Sequence, residues 1–233
     1  MSSVSANSQP TEIGNKDLSI RDLHSSDPIV QFVEWLDLAK ATAFNSDTDT
    51  CTLSTAELPS GKVSSRIVQL KALSDAGNFI FFTNLETSRK SRDLATNSHV
   101  ALVFYWGQTQ RQVRIEGVAK SCSEEERQQY FKLTTRRSRL ASWASPQSQV
   151  LGRSDQGDDG RAQLDQWADD TEKKFESVTD VPMPPSWGVL QVVPMSIEFW
   201  QSRSNRLRDR FLYTREDKAD GNEGAWSIMR LSP

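Results

Sequence analysis

Basic residues stand beside hydroxyl-bearing residues at several points of this sequence, and their chemistry is that of an anion site. Arginine forks, lysine ammonium groups and hydroxyl donors are the groups that bind a phosphate dianion. They cluster in short segments of a 233-residue chain whose formal net charge is -3. The members are Ser64, Ser65, Arg66, Lys71, Thr83, Ser88, Arg89, Lys90, Arg136, Arg137, Ser138, Gln147, Ser148, Arg206, Arg208 and Arg210. A competing interpretation assigns such charges to solvated strand edges, where Lys and Arg oppose edge pairing. For the whole clustered set we favour the anion site.

Other chemistries find little support in the sequence. It contains no glycine-rich phosphate loop, no Gly-x-Ser-x-Gly and no His-Glu-x-x-His. The two histidines, His24 and His99, neighbour no candidate nucleophile or ligand cluster. Cys51 and Cys122 lack metal-type spacing, so we expect two reduced thiols in a cytoplasmic protein. A metal centre and a Ser-His-Asp triad are therefore disfavoured, and the net charge does not predict nucleic-acid binding.

The sequence also indicates how the chain is organised into segments and where its first helix begins. Residues 1–26 are polar and rich in Ser and Asn, which predicts a disordered segment, and 27–233 are predicted to form one domain. The start lacks the pattern of a secretory signal, and no apolar run reaches membrane-spanning length, so we expect no membrane partner. Asp27 as cap and Pro28 at the first position predict a helix over 28–42.

Strand patterns dominate the rest of the chain. Segments rich in β-branched and aromatic residues follow one another closely, with a bulge expected near Gly117. Ser123 and Glu126 fit a capping box, a further helix is expected around 161–177, and RSDQGDDGR reads as an exposed loop. This order favours an antiparallel barrel with peripheral helices, a mainly β fold of the α+β class, over alternating βαβ units.

Five sequence blocks carry a resemblance to a known family. SSRIVQLK, FFTNLETSRK, VFYWGQTQRQVRIEG, IEFWQSRSNRLRDRF and the terminal RLSP resemble, in this order, the signature blocks of pyridoxamine 5'-phosphate oxidases. The resemblance runs from about Asp27 to Pro233. It implies an FMN-binding split β-barrel, a homodimer with FMN at the subunit interface, and oxidation of pyridoxamine or pyridoxine 5'-phosphate to pyridoxal 5'-phosphate in vitamin B6 salvage. Hydride passes to FMN, and O2 is then reduced to H2O2.

The resemblance also implies roles for individual residues. The expected FMN-binding residues are Arg66, Ile67, Val68, Gln69, Phe82, Thr83, Arg89, Lys90, Gln112, Gln147, Ser148, Trp200 and Arg210, of which the partner subunit contributes Gln147, Ser148, Trp200 and Arg210. The expected substrate-binding residues are Lys71, Tyr130, Thr134, Ser138, Arg206 and Arg208, and the last two are also the candidate catalytic residues.

The chain departs from the family pattern mainly on the substrate side. Thr134 replaces an arginine that would bind the substrate phosphate, unless Arg136 or Arg137 reaches in. Arg208 replaces a histidine, and a guanidinium cannot accept a proton. On the cofactor side Gln69 replaces a usual leucine and Thr87 resembles a one-residue insertion. The arginine-tyrosine lid of many members is not recognisable before the first helix.

Three functions remain open at this point. The first is an ordinary pyridoxamine/pyridoxine 5'-phosphate oxidase that tolerates Thr134 and Arg208, since hydride transfer depends mainly on placing the substrate against the flavin. The second is a paralogue that keeps FMN but oxidises another amine or alcohol. The third is a non-catalytic protein that binds FMN or pyridoxal phosphate, which the fold alone does not exclude.

Overall fold

The computed structural model describes residues 17–24, 26–44, 47–153, 157–203, 207–215 and 224–233. Most of the segment 1–26 lies outside this part of the chain, but its last residues are packed. Leu18 and Leu23 are buried, and a capped 3-10 turn over Ile20–Asp22 separates them. The prediction of a disordered segment up to residue 26 is therefore too wide at its C-terminal end, because these two leucines join the hydrophobic core.

In the described residues, one antiparallel sheet of nine strands forms the body of the protein. Its strands are β1 (Thr50–Glu57), β2 (Lys62–Gln69), β3 (Ala72–Leu73), β4 (Phe79–Asn84), β5 (His99–Trp106), β6 (Arg111–Ser121), β7 (Trp187–Gln201), β8 (Asp209–Thr214) and β9 (Ser227–Arg230). The strand order is β2-β1-β5-β6-β7-β4-β3, and β8 pairs with both β7 and β9. The predicted antiparallel architecture is confirmed.

The long strand β7 pairs with three other strands of the sheet. Along one edge it pairs with β6 over most of its length. Its other edge is shared: residues 187–192 pair with β4, and residues 196–201 pair with β8. β4 and β8 therefore continue the sheet from different halves of β7, and the curled sheet encloses the hydrophobic core on its inner side.

A β-bulge on β7, opposite Glu116 and Gly117 of β6, allows this curling, and Met195 is its extra residue. The register of β6 against β7 shifts between Glu116 and Gly117. An added Cβ at Gly117 would lie 2.2 Å from the carbonyl oxygen of Val193, so only glycine fits this close approach of two backbones. The bulge expected near Gly117 is confirmed.

Five helices surround the sheet in the described part of the chain: α1 (Pro28–Thr42), α2 (Arg89–Leu94), α3 (Glu124–Lys132), α4 (Arg136–Ala144) and α5 (Arg161–Lys174). The predicted α1 is confirmed, and the Asp27 carboxylate accepts from Ile29 N at 2.8 Å. Its Phe32 packs edge-on against Phe79 and Phe104, with ring centroids 5.0 Å away in each case. The Ser123 capping box is also present.

Helices α2 and α4 are not predicted by the sequence patterns above. The predicted loop RSDQGDDGR lies partly outside the described residues, which omit 154–156. Among the helices that the structure describes, none is long and apolar enough to cross a membrane.

Candidate active site

A cluster of charges forms where α2 meets the β1–β2 hairpin. The hairpin register places Arg66 of β2 opposite Leu53 of β1, beside Thr55. On α2, Arg89 and Asp93 are four residues apart, so their side chains share one helix face. Arg89 Nε donates to Asp93 Oδ1 at 2.8 Å, and Arg66 Nη2 lies 3.9 Å from Asp93 Oδ2. The two predicted FMN-binding arginines thus share one carboxylate.

That carboxylate is fully buried yet ionised. Thr55 Oγ1 donates to Asp93 Oδ2 at 2.6 Å. Burial alone would raise the pKa of Asp93, but the hydrogen bonds from Thr55 and Arg89, with the charges of Arg89 and Arg66, hold that pKa below its usual value. Sequence reasoning missed Asp93 and Thr55. The spacing of Arg89 and Asp93, a possible i,i+4 ion pair, was the available signal.

Lys90 links this cluster to the segment that follows α4. Its Nζ donates to Gln147 Oε1 at 2.8 Å, and the neighbouring Arg89 N donates to Ser148 Oγ at 3.2 Å. Burial, with the nearby charge of Arg66, lowers the pKa of Lys90 to about 8. Four predicted cofactor residues therefore meet within one chain. The resemblance implied that the partner subunit supplies Gln147 and Ser148, whereas here they contact Arg89 and Lys90 of their own chain.

A second group of predicted cofactor residues lies on the outer face of β6, β7 and β8. Gln112 is paired with Trp200, and Trp200 with Arg210, so the three side chains stand side by side. Arg210 Nε donates to Glu198 Oε1 at 2.7 Å, and Arg114 Nη2 donates to Glu198 Oε2 at 2.6 Å. Glu198, which the sequence analysis did not single out, is buried and fixes Arg210.

The remaining predicted cofactor residues occupy β2 and β4. On β2 the side chain of Ile67 is exposed, whereas Val68 packs against the core. Gln69 Nε2 donates to Asp49 Oδ2 at 2.9 Å, and Lys71 Nζ donates to Gln69 Oε1. Gln69 therefore holds the side chain of Lys71, a predicted substrate-binding residue, beside its own.

On β4, Phe82 and Thr83 line a cavity of ≈ 520 Å³, a size typical of small-molecule sites. Its walls also include Ser138 of α4, with Gln147 and Ser148. The cavity thus brings predicted cofactor and substrate residues together. It has further lining residues that sequence reasoning missed: Asn84, Trp167 and Trp187. Trp187 packs against Phe82 with ring centroids 5.1 Å apart, and Tyr130 packs against the same ring at 5.7 Å.

The substituted substrate positions have partners of their own. Thr134 Oγ1 donates to Phe131 O at 2.6 Å, which closes the last turn of α3. Arg136 donates to the carbonyls of Phe175 and Val178, so it does not replace the family arginine. The Arg208 guanidinium lies over the Trp200 ring at 5.6 Å. The candidate catalytic residue Arg206 lies outside the described part of the chain.

The curled sheet and the cationic cluster beside a cavity are features of an FMN-binding split barrel, and comparison with known proteins identifies the family. The family model described as pyridoxamine 5'-phosphate oxidase matches residues 38–157, and that of the pyridoxine 5'-phosphate oxidase C-terminal dimerisation region matches residues 187–233. The chain belongs to the pyridoxamine 5'-phosphate oxidase family. The predicted class, an FMN-dependent oxidoreductase that forms homodimers, is thereby confirmed.

Individual relatives of known name support this family assignment. The chain is 41% identical over 209 residues to pyridoxamine 5'-phosphate oxidase of Saccharomyces cerevisiae, covering 90% of this chain and 86% of that protein. It is 44% identical over 214 residues to a probable pyridoxamine 5'-phosphate oxidase of Schizosaccharomyces pombe, covering 91% and 87%. Among solved structures it resembles PhzG from Burkholderia lata 383 in complex with tetrahydrophenazine-1-carboxylic acid, with 28% identity, a TM-score of 0.77, and coverage of 94% of this chain and 100% of that chain.

Proposed function

We propose that this protein converts pyridoxamine 5'-phosphate and pyridoxine 5'-phosphate to pyridoxal 5'-phosphate, a step of vitamin B6 salvage. The observation that carries the proposal is the contact of Arg89 and Lys90 with Gln147 and Ser148, beside a cavity that also contains Ser138. FMN, when bound, supplies the hydride acceptor for the 4' carbon of the substrate, and O2 restores its oxidised form with release of H2O2.

The cluster on α2 and β2 suits the phosphate of FMN. Arg66 and Arg89 pair with the carboxylate of Asp93, and Lys90 follows Arg89 on α2. Even with Glu57 beside Arg89, the cations of the cluster outnumber its carboxylates, which suits a phosphate dianion. Thr83 and Ser148 add hydroxyl donors at the edge of the same cavity. The residues present therefore fit FMN, and they hold it by its phosphate beside α2.

Both subunits of the dimer take part in this site. Gln112, Trp200 and Arg210 lie on an outer sheet face, within or beside the segment that matches the dimerisation region. In the proposed dimer this face of one protomer approaches the cationic cluster of its partner, so that Trp200 and Arg210 complete the FMN site across the interface. Glu198 keeps Arg210 in place for that contact.

On the substrate side, Lys71, Tyr130 and Ser138 bind the substrate phosphate, while Arg206 and Arg208 are the candidate catalytic residues. Lys71 contributes charge and the two hydroxyl groups contribute hydrogen bonds. Thr134, whose hydroxyl is engaged with Phe131, adds no charge. Placement of the substrate carbon provides most of the catalysis in such a site, so the loss of one contact weakens the reaction without removing it. The two buried, free cysteines are in keeping with a cytoplasmic protein.

A second candidate is oxidation of a different amine or alcohol by the same FMN site. Arg208 and Thr134 favour it, because both departures lie on the substrate side, whereas the residues of the FMN side are retained apart from Gln69 and the insertion at Thr87. The similar PhzG structure contains tetrahydrophenazine-1-carboxylic acid, so this fold accommodates a ligand of another class.

The test is to purify the protein, release and quantify its flavin, and measure H2O2 formed with pyridoxamine 5'-phosphate and with pyridoxine 5'-phosphate. We expect about one FMN per subunit and turnover of at least one substrate. Bound FMN without turnover would reject the first proposal and leave the second candidate and a non-catalytic binding role. Absence of FMN after incubation with excess FMN would overturn the cofactor assignment.

A further inference from the structure

We propose that Asp93 is a positioning residue of the FMN phosphate site: its carboxylate, together with Thr55, holds Arg66 and Arg89 in the orientation that receives the phosphate. The inference rests on the proposed function for the identity of the ligand. It adds a residue that does not touch the ligand and acts only through the two arginines.

The first support is the origin of the groups that bind Asp93. Its partners come from three elements: Thr55 from β1, Arg66 from β2 and Arg89 from α2 itself. A fully buried carboxylate is costly unless it is paired and hydrogen-bonded, and Asp93 is both. Asp93 therefore ties α2 to the hairpin, and it does so through residues whose charge the phosphate requires.

The second support is the way in which Thr55 connects Asp93 to Arg66. The Thr55 hydroxyl donates to Asp93 Oδ2 and accepts from Arg66 Nη1 at 2.8 Å. Arg66 Nη2 also donates to Ser64 Oγ at 2.9 Å, and Nη1 to Leu53 O at 3.1 Å. The Arg66 guanidinium is thus fixed before any ligand binds. Because the Thr55 hydroxyl is held by Asp93 and accepts from Arg66, Asp93 helps to orient Arg66 through Thr55.

Arg89 is oriented by a direct bond. A guanidinium has five N–H donors in a rigid fork, and Asp93 accepts the one at Nε. The outer Nη2 atom of Arg89 lies toward the exposed side, 3.6 Å from Glu57 Oε2. Preorganised arginines lose less freedom on binding an anion than mobile ones do.

The sign of the effect separates positioning from a simple electrostatic field. Removing the charge of Asp93 makes the site more positive, so a field effect alone would strengthen phosphate binding. If Asp93 positions the arginines, its removal weakens binding, because Arg66 and Arg89 repel each other and lose their common anchor.

The experiment compares FMN with riboflavin, which carries the same ring without the phosphate. Apoprotein is prepared from the full chain, and Kd values are measured by quenching of flavin fluorescence. For Asp93→Asn we expect the Kd for FMN to rise by about tenfold or more, the equivalent of one charge-assisted hydrogen bond, while the Kd for riboflavin stays within about twofold. Glu57→Gln, which removes the exposed partner of Arg89, is the matched control and leaves both Kd values unchanged.

A second pair of variants tests the same link without removing a charge. Thr55→Val breaks the connection to Arg66 and weakens FMN binding, whereas Thr55→Ser restores it. If Asp93→Asn does not fold, as judged by its circular dichroism spectrum, this pair decides. Unchanged or tighter FMN binding in a folded Asp93→Asn or Thr55→Val protein overturns the inference alone. An equal loss for FMN and riboflavin also overturns it, since that indicates a merely structural role. Wild-type protein that binds no FMN overturns the proposed function and the inference together.

Discussion

Lys90 Nζ donates a hydrogen bond to Gln147 Oε1 at 2.8 Å across 57 residues of sequence. This contact joins α2 to the segment after α4, and it places a lysine that is only 5% exposed beside the cationic cluster. Burial and the charge of Arg66 lower the pKa of Lys90 to about 8. The amine can therefore lose its proton close to physiological pH, when no anion is bound.

The first prediction concerns the pH dependence of FMN binding. A phosphate dianion favours the charged form of Lys90, so it raises the pKa of that amine on binding. Above about pH 8 the free protein must take up a proton to bind FMN, and the affinity falls by up to about tenfold per pH unit. The measurement is the Kd for FMN from about pH 7 to 9.5, with riboflavin as the ligand that should show no such slope.

Two substitutions of Lys90 make this prediction specific. Lys90→Arg keeps its charge at all of these pH values and should flatten the slope, because an arginine does not titrate in this range. Lys90→Gln should bind FMN weakly at every pH, also without a slope. A slope that persists in Lys90→Gln would assign the titration to another group.

The second prediction concerns Arg208, whose guanidinium lies over the ring of Trp200. A guanidinium cannot accept the proton that the substrate amine or hydroxyl must release, whereas a neutral imidazole can. We expect Arg208→His to raise kcat for pyridoxamine 5'-phosphate by about tenfold or more, measured as H2O2 release. Arg208→Lys, which also accepts no proton while it is charged, is the control. No gain in Arg208→His would show that Arg208 is tolerated or has a role of its own.

The third prediction concerns the buried carboxylate of Glu198. Burial would raise its pKa, but hydrogen bonds from Arg210 and Arg114 hold that pKa below its usual value. Glu198→Gln removes the charge that both arginines share. We expect a loss of about 1–3 kcal/mol in the free energy of unfolding, kept modest because both arginines are partly exposed, and weaker FMN binding through a displaced Arg210.

Glu116→Gln is the matched control for Glu198. Glu116 is the other carboxylate partner of Arg114, but its side chain is exposed, and Arg210 donates to Glu198 instead. Its substitution should change the free energy of unfolding by less than about 1 kcal/mol. Equal effects of the two substitutions in urea denaturation would argue against a special role for Glu198.

The fourth prediction concerns the bulge at Gly117. A Cβ there would lie 2.2 Å from Val193 O. Gly117 and Val193 belong to paired strands, so neither backbone can move away independently. We expect Gly117→Ala to lower the free energy of unfolding by about 3 kcal/mol, at the upper end for overpacking. At Gly107 the nearest atom to an added Cβ is 3.9 Å away, so Gly107→Ala should have little effect. A thermal shift of similar size in both variants would contradict the assignment.

Local signals account for the parts of the fold that sequence analysis predicted. The cap Asp27, the proline at position 28 and the apolar spacing that follows are all contained in α1, so the helix can be read without its surroundings. The offset in the apolar pattern of the sequence near Gly117 marks the part of β6 that faces the bulge, although the extra residue, Met195, belongs to β7. In α1 the residues that set the structure are neighbours in the sequence, whereas at the bulge only the local signal near Gly117 could be read.

The candidate site was less predictable because it depends on packing between distant segments. Helix α2 has six residues, mostly polar, and so gives no apolar periodicity. Its Asp93 gains a role only when Thr55 and Arg66 lie against it. The sharing of one β7 edge by β4 and β8 is likewise a tertiary feature, which strand patterns do not encode.

Helix α2 and its N-cap carry three buried polar residues, Ser88, Lys90 and Asp93, within about a turn and a half. Such a helix contributes little apolar burial, so its charges rely on an anion for full compensation. A ligand at about 100 times its Kd stabilises the folded state by ~2.7 kcal/mol. Proteases and chaperones act on the unfolded fraction, so a shift of that size changes the steady-state level of a protein in a cell. The amount of this enzyme should therefore follow riboflavin supply, independently of how strongly its gene is expressed.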